Sequence, residues 1–369
     1  MDDARYLERA LQLAARGWGT SSPNPMVGVV VVRGGRVVGE GWYRGPGAGH
    51  PHAEVNALAA AGDLARGSTV YTTLEPCNHF GRTPPCTRAL IDAGVARVVV
   101  AATDPNPIVN GRGIEQLRAA GVAVDLAEEP LAGRARRLNE AFEHAVTTGT
   151  PFVIAKLAAT LDGKVAARDG SSRWITGDAA RADVHRLRAW ADAVVIGAGT
   201  ALADDPLLTV RAHPYDGAPV LRVVVDAAGR VPPSGRLFDG SAPTLVATTE
   251  AAPPSRRAAW ADAGAEVLVG DPGPRGVALA PFLEVLAKRD VQGVLLEGGP
   301  TLAWSAVAED VVDRLVVYLA PLLVGGVDAP GILGGAGFAP IGSGRRVQID
   351  RVERIGDDLK VEADVHRHH

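Results

Sequence analysis

Cysteine is scarce: Cys77 and Cys86 are the two in 369 residues, which excludes a disulfide framework. No apolar run approaches the length needed to cross a bilayer. The start, MDDARYLERALQLAARG, lacks the basic-then-apolar layout of a signal peptide; it reads as an amphipathic helix with acidic residues in its first turn. Neither sign of charge dominates. The net charge of −4, from 38 basic and 42 acidic side chains, argues against nucleic acid or a membrane as partner. No internal repeat or low-complexity block stands out. A cytoplasmic globular protein is therefore expected, and in a reducing compartment a close cysteine pair points to metal or redox chemistry. The terminal HRHH reads as a disordered tail.

What is present suffices for two or three domains, with 47% hydrophobic and 22% charged residues. The first part alternates strand and helix. Residues 27–42 predict a hairpin turned at Gly34-Gly35, 52–61 a helix, 69–75 a strand, 84–94 a helix and 97–103 a strand. GIEQLRAAG and VAVDLA repeat the step, and one helix over 134–149 closes this half. TGTP at 148–151 breaks both helix and strand and marks a boundary. The second half reads as buried strands at 152–159, 191–198, 220–227, 244–249, 265–270, 293–299 and 313–326, with helices between several of them. It ends in a hairpin turned at Gly356-Asp357; the stretches 228–243 and 270–281 look like surface loops. Both halves are α/β.

His52-Ala53-Glu54 stands at the start of a helix, Pro76-Cys77 at a strand end, and Cys86 in the first turn of the next helix. One imidazole and two thiolates suit Zn²⁺, and three protein ligands leave a fourth position for water, as in catalytic sites. A structural site would want a fourth ligand, for which His50 and His79 are candidates. Glu54 favours catalysis: a carboxylate two residues after the histidine can take a proton from zinc-bound water and hand it to a leaving amine. The H-x-E and P-C elements together are the signature of zinc nucleobase deaminases, although most members have C-x-x-C. Here the eight residues NHFGRTPP intervene. They bring His79 and Arg82 beside the metal, and their two prolines stiffen the entry to the helix.

No G-x-G-x-x-G opens the second half. GAGTAL at 197–202 is a partial match whose third glycine position is Leu202. LLEGGPTLAWSAV at 295–307 is a strand, a glycine pair and a helix opening at Thr301, whose free N–H groups could hold a phosphate. An ordinary strand–helix turn has the same pattern.

The stretches PNPMVGVVVV, HAEVNAL, TLEPCNHFGRTPPC and TDPNPIVNGRGI, then KLAATLDGKVA, SRWITG, ADDPLLTVR and LEGGPTLA, resemble the bifunctional deaminase/reductases of riboflavin biosynthesis over nearly the whole chain. The widened cysteine spacing is typical of that family. The resemblance implies a cytidine-deaminase-like three-layer domain at 1–147 and a dihydrofolate-reductase-like domain at 150–366. It implies zinc-hydroxide deamination of 2,5-diamino-6-ribosylamino-4(3H)-pyrimidinone 5′-phosphate, then NADPH reduction of the ribosyl chain to ribityl. The product is 5-amino-6-(5-phosphoribitylamino)uracil.

By the same resemblance His52, Cys77 and Cys86 hold one zinc ion per chain and Glu54 shuttles the proton. Asn24, His79, Arg82, Asp104 and Asn106 line the pyrimidine and ribose phosphate. Relatives often carry lysine where this chain has Arg82, which keeps the charge but changes the hydrogen-bond geometry. In the second domain Lys156, Ser172, Arg188, Leu208, Arg211 and Glu297 hold the ribose phosphate. Ala158, Trp174, Thr200 and Asp204 contact NADPH, and Gly299, Pro300, Thr301, Leu302, Ala303, Trp304 and Ser305 take its phosphates. Trp174 could instead be a core aromatic. A small-molecule substrate and a homo-oligomer, dimer or tetramer, are implied, with no nucleic-acid or membrane partner. Two alternatives differ in class. One is a deaminase of nucleosides or RNA fused to a non-catalytic pyrimidine-binding domain. The other is a structural zinc module with no catalytic use for Glu54.

Overall fold

In the computed structural model, which describes residues 3–46, 50–80, 84–211, 215 and 217–365, the first helix is Asp3–Ala14 (α1). Tyr6, Leu7, Ala10, Leu11, Leu13 and Ala14 share its buried face. The chain divides into two units, Met1–Gly149 and Thr150–His369.

In the first unit Gly28–Arg33 (β1) pairs antiparallel with Arg36–Trp42 (β2). Gly34 and Gly35 connect them at φ +56° and +75°, as a tight hairpin turn requires. Then come Ala53–Ala61 (α2), Thr69–Thr72 (β3), Cys86–Asp92 (α3), Arg97–Val100 (β4), Arg112–Ala119 (α4), Ala123–Leu126 (β5), Leu131–Leu138 (α5) and Glu140–Thr148 (α6). The sheet order is β2-β1-β3-β4-β5, antiparallel on the β2 side and parallel through β3, β4 and β5. All four valines of β1 are buried because both sheet faces are covered. Val30 and Val32 pack with α1 and with Ala135 of α5. Val29 and Val31 pack with α2, α3 and α4. The result is three layers.

The second unit comprises Phe152–Thr160 (β6), Asp178–Trp190 (α7), Ala193–Gly197 (β7), Ala198–Asp204 (α8), Leu221–Val225 (β8), Thr244–Thr248 (β9), Pro254–Asp262 (α9) and Glu266–Val269 (β10). Pro272–Gly273 (β11), Gly276–Val277 (β12), Leu279–Ala287 (α10), Gly293–Leu296 (β13), Pro300–Ala308 (α11), Arg314–Ala320 (β14), Val347–Ile355 (β15) and Asp358–Val365 (β16) complete it. A nine-stranded sheet runs β10-β9-β8-β7-β13-β6-β14-β16-β15, parallel except at β16 and β15. Helices α10 and α11 cover one face through Phe282, Leu286, Leu302 and Ala306, while Trp260 of α9 packs with Val246 on the other.

Several elements differ from the sequence expectation. The single helix over 134–149 is two, broken at Asn139. The Asn139 amide there donates to the Met26 carbonyl (2.9 Å) and accepts the Met26 N–H (2.7 Å), a pairing that a continuous amphipathic pattern cannot reveal. The strands expected at 69–75, 97–103 and 313–326 stop at Thr72, Val100 and Ala320. The stretch 270–281 is not simply a surface loop: it forms the β11–β12 ribbon and starts α10, burying Val277 and Leu279. In 228–243, Leu237 is buried and the segment is clipped by Arg222. This fully buried guanidinium donates to the carbonyls of Arg236 and Ala242 and to Asp239. No helix among the described residues is long and apolar enough to cross a membrane. Arg82 and the HRHH tail lie outside the described residues.

Candidate active sites

Helix α2 is laid directly on β2. A Cβ at Gly39 would stand 2.3 Å from the Ala57 carbonyl, and one at Gly41 2.3 Å from that of Ala53. Two glycines on the strand facing the alanine-rich AEVNALAAA let the backbones approach. This contact sets down His52, the N-cap residue, and Glu54 in the first turn. Beyond β3 the chain bends through 73–76 to Cys77, and Cys86 opens α3 with Pro85 as N-cap. The prolines therefore precede the first helical position, which is the cysteine itself.

The three expected ligands converge. His52 Nδ1 lies 3.2 Å from Cys86 Sγ and 3.7 Å from Cys77 Sγ, and the Cys86 N–H donates to Cys77 Sγ (3.4 Å). One donor atom from each residue falls within 4.8 Å of the others. The Cys86 thiol, with help from the His52 ring, holds Cys77 down to about 4. Cys86, buried beside that thiolate, is pushed up. Two thiolates this close repel, and a divalent cation among them removes the repulsion, so the donor set fits zinc. Glu54 is buried at 4% exposure; burial, then the Cys77 charge, pushes it up to about 7.

Around this triangle Asp104 is buried and Asn24 and His79 are exposed. Burial, then Glu75 and Cys77, raises Asp104 to about 6, while His79 pulls it down. Tyr43, which nothing in the sequence singles out, packs its ring edge-on to His52 (5.8 Å) and accepts a hydrogen bond from Asn24 Nδ2 (2.7 Å).

The second unit holds a cleft of about 650 Å³. Of the residues expected there, Lys156, Ala158, Ser172, Thr200, Asp204, Glu297, Gly299, Pro300, Thr301, Leu302 and Ser305 line it. Arg188, Leu208, Arg211, Trp174, Ala303 and Trp304 are not in its wall. Ala303 and Trp304 face inward, Trp304 against Phe338 (4.8 Å between rings). Trp174 is 69% exposed, with the Arg181 guanidinium 4.6 Å from its ring, which rules out a core role. Arg230 and Arg275, from stretches read as surface loops, also line the cleft.

Helix α11 opens at Pro300 rather than Thr301, and the Gly299 N–H is donated to Thr200 Oγ1 (3.1 Å). One amide expected to be free is thus already used. Arg188 and Glu297, both half-buried, form a two-pronged pair, Nε to Oε1 at 2.6 Å and Nη2 to Oε2 at 3.0 Å, and Nη1 reaches the Thr209 carbonyl (3.3 Å). Burial pushes the Glu297 carboxyl up, but Arg188 and Lys156 together hold it below the usual range. Burial lowers Lys156. Leu208 is buried at φ +52°, a left-handed conformation that a branched side chain rarely adopts.

Comparison with known proteins agrees with this two-site layout. A family model described as the RibD C-terminal domain matches residues 151–361, and one for the cytidine and deoxycytidylate deaminase zinc-binding region matches residues 1–102. The riboflavin biosynthesis protein RibD of Aquifex aeolicus is 42% identical over 363 residues, 97% of each chain. The solved structure of Acinetobacter baumannii RibD superposes with a TM-score of 0.88 at 38% identity, covering 99% of both chains. The diaminohydroxyphosphoribosylaminopyrimidine deaminase/5-amino-6-(5-phosphoribosylamino)uracil reductase of Thermotoga maritima gives 0.86 at 34%, again over 99% of both. The RibD C-terminal domain model on the second half, with RibD relatives matched over the full length, does not favour a non-catalytic pyrimidine-binding partner domain. With both halves matched, in one order and over almost the whole length, the chain belongs to the RibD family, zinc- and NADPH-dependent enzymes that deaminate and then reduce a pyrimidine on the way to riboflavin.

Proposed function

We propose that residues 1–147 carry the deamination and residues 150–366 the reduction, with the roles distributed as follows. His52, Cys77 and Cys86 hold the zinc ion. When bound, zinc lowers the pKa of a coordinated water and so supplies a nucleophile near neutral pH. Glu54, buried in the first turn of α2 beside both thiols, would carry a proton on its carboxylate between the attacking water and the leaving amine. Asn24, Asp104 and Asn106, with His79 and Arg82, orient the pyrimidine and its ribose phosphate. The observation that carries this reading is the His52–Cys77–Cys86 triangle with a buried carboxylate two residues from its histidine.

In the second unit Lys156 and Glu297 stand in the cleft wall where the deaminated pyrimidine's side chain enters. Arg188 is engaged by Glu297 and Thr209, so its part is to fix that carboxylate. Arg211 is exposed and offers its planar fork to the phosphate, with Ser172 and Leu208 completing the substrate end. Ala158, Trp174, Thr200, Asp204, Gly299, Pro300, Thr301, Leu302 and Ser305 hold NADPH, which when bound supplies the reducing equivalent; Ala303 and Trp304, turned into the core, only seat the helix start.

The enzyme works as a homo-oligomer in the cytoplasm. Supporting this are the exposed edge strand β15, with Val347, Ile349 and Val352 at its surface, and a cluster of reduced thiols.

Glu54→Ala in the full chain tests the proton role. Ammonia release is expected to fall by about 10²-fold or more, while zinc content and NADPH consumption on the deaminated pyrimidine stay at wild-type level. Loss of zinc together with activity would favour a structural metal site.

A further inference from the structure

Glu75 precedes Pro76-Cys77 and is buried at 3% exposure. The hydrogen-bond partners of its carboxylate are three backbone amides. Oε2 accepts from the N–H groups of Asp104 (3.2 Å) and Gly111 (2.9 Å), and Oε1 from that of Ile114 (3.1 Å). The segment between these points is closed on itself. Asp104 Oδ1 accepts from the Asn106 N–H (2.9 Å), and Asn106 Oδ1 from that of Ile108 (3.1 Å). The Asn106 carbonyl accepts from Val109 (2.8 Å) and Asn110 (3.0 Å). One oxygen thus gathers both ends of the loop that carries Asp104 and Asn106, and the other pins the first turn of α4.

A second observation is independent of these bonds. At Gly113, in that first turn, a Cβ would stand 2.1 Å from the Pro76 carbonyl and 3.0 Å from Glu75 Oε1. The start of α4 is pressed onto the segment that leads to Cys77, and glycine is what permits it.

We infer that Glu75 is a positioning residue of the deaminase: it ties the 104–111 loop to the Cys77 segment and so sets where Asp104 and Asn106 stand relative to the metal ligands. The inference rests on the substrate roles proposed for those two residues. A carboxylate suits the task because three converging N–H groups need acceptors alone, and its two oxygens carry no competing proton. Its buried charge is balanced by those amides and by the positive end of α4. Glutamine has nearly the same shape but turns an NH₂ group against at least one of the amides.

The test is Glu75→Gln in the full-length protein, with KM and kcat for ammonia release from the diaminopyrimidine, zinc content, and NADPH consumption on the deaminated pyrimidine. KM is expected to rise about tenfold or more, with kcat within about threefold of wild type. Zinc content and NADPH consumption should be unchanged. A wild-type KM overturns the inference. So does zinc loss, or a lower kcat at unchanged KM, either of which assigns Glu75 to the metal site. A first unit that fails to fold makes it a folding element and overturns the inference too. A wild-type chain that releases no ammonia would sink the deaminase reading itself.

Discussion

His185 shows how a single side chain is set by its neighbours. Its Nδ1 accepts the Arg211 backbone N–H (3.3 Å), so that nitrogen carries no proton in the folded state. Burial, then the guanidiniums of Arg188 and Arg211, holds its pKa down to about 4. An unfolded histidine titrates near about 6.5. Between those values the unfolded chain binds a proton that the native chain does not. Stability from this group is therefore complete above about pH 6.5 and is lost as pH falls toward 4. His185→Asn keeps an acceptor and removes the titration. The urea midpoint should then fall less steeply from pH 7 to 4.5 than in wild type; equal slopes would refute the account. Residue type marks some sites in the bare sequence, such as a thiol pair beside H-A-E. It does not mark His185, Tyr43 or Glu75, whose meaning comes from groups distant in the chain.

At the scale of elements, the contact of α2 with β2 governs the deaminase site. Gly41 lies under the Ala53 carbonyl, one residue from His52 and Glu54. Gly41→Ala would lift the start of the helix. A stability loss of about 1–3 kcal/mol is expected in the first unit, with lower ammonia release and unchanged NADPH consumption by the same protein. Equal losses in both activities would mean that the damage is not local. Local composition made α2, β1 and the terminal hairpin readable: an alanine-rich run, an unbroken valine run stopped by Gly34-Gly35, and alternation about Gly356-Asp357. It could not place the break at Asn139, whose partner, Met26, lies 113 residues earlier. Nor could it show that Val277 and Leu279 enter the core, since a Pro/Gly-rich stretch reads as a loop whether or not something covers it.

For the whole molecule, β15 is an exposed edge nine residues long. Ile349 and Val352 are 62% and 57% exposed. A sheet edge that exposes apolar side chains among its charged ones offers a surface for self-association. Ile349→Glu together with Val352→Glu should shift the sedimentation of the full chain toward the monomer. Sedimentation unchanged from an oligomeric wild type would place the interface elsewhere.

Metal chemistry, the two α/β halves and their order were legible before any coordinates, because ligand identity and hydrophobic period are local properties of a chain. The arrangement that gives those residues work was not. Arg188 and Glu297, 109 positions apart, occupy each other, and Thr200 takes the Gly299 amide from 99 positions away. Such pairings are settled by which strands and helices lie side by side, and packing decides that only once the chain has folded.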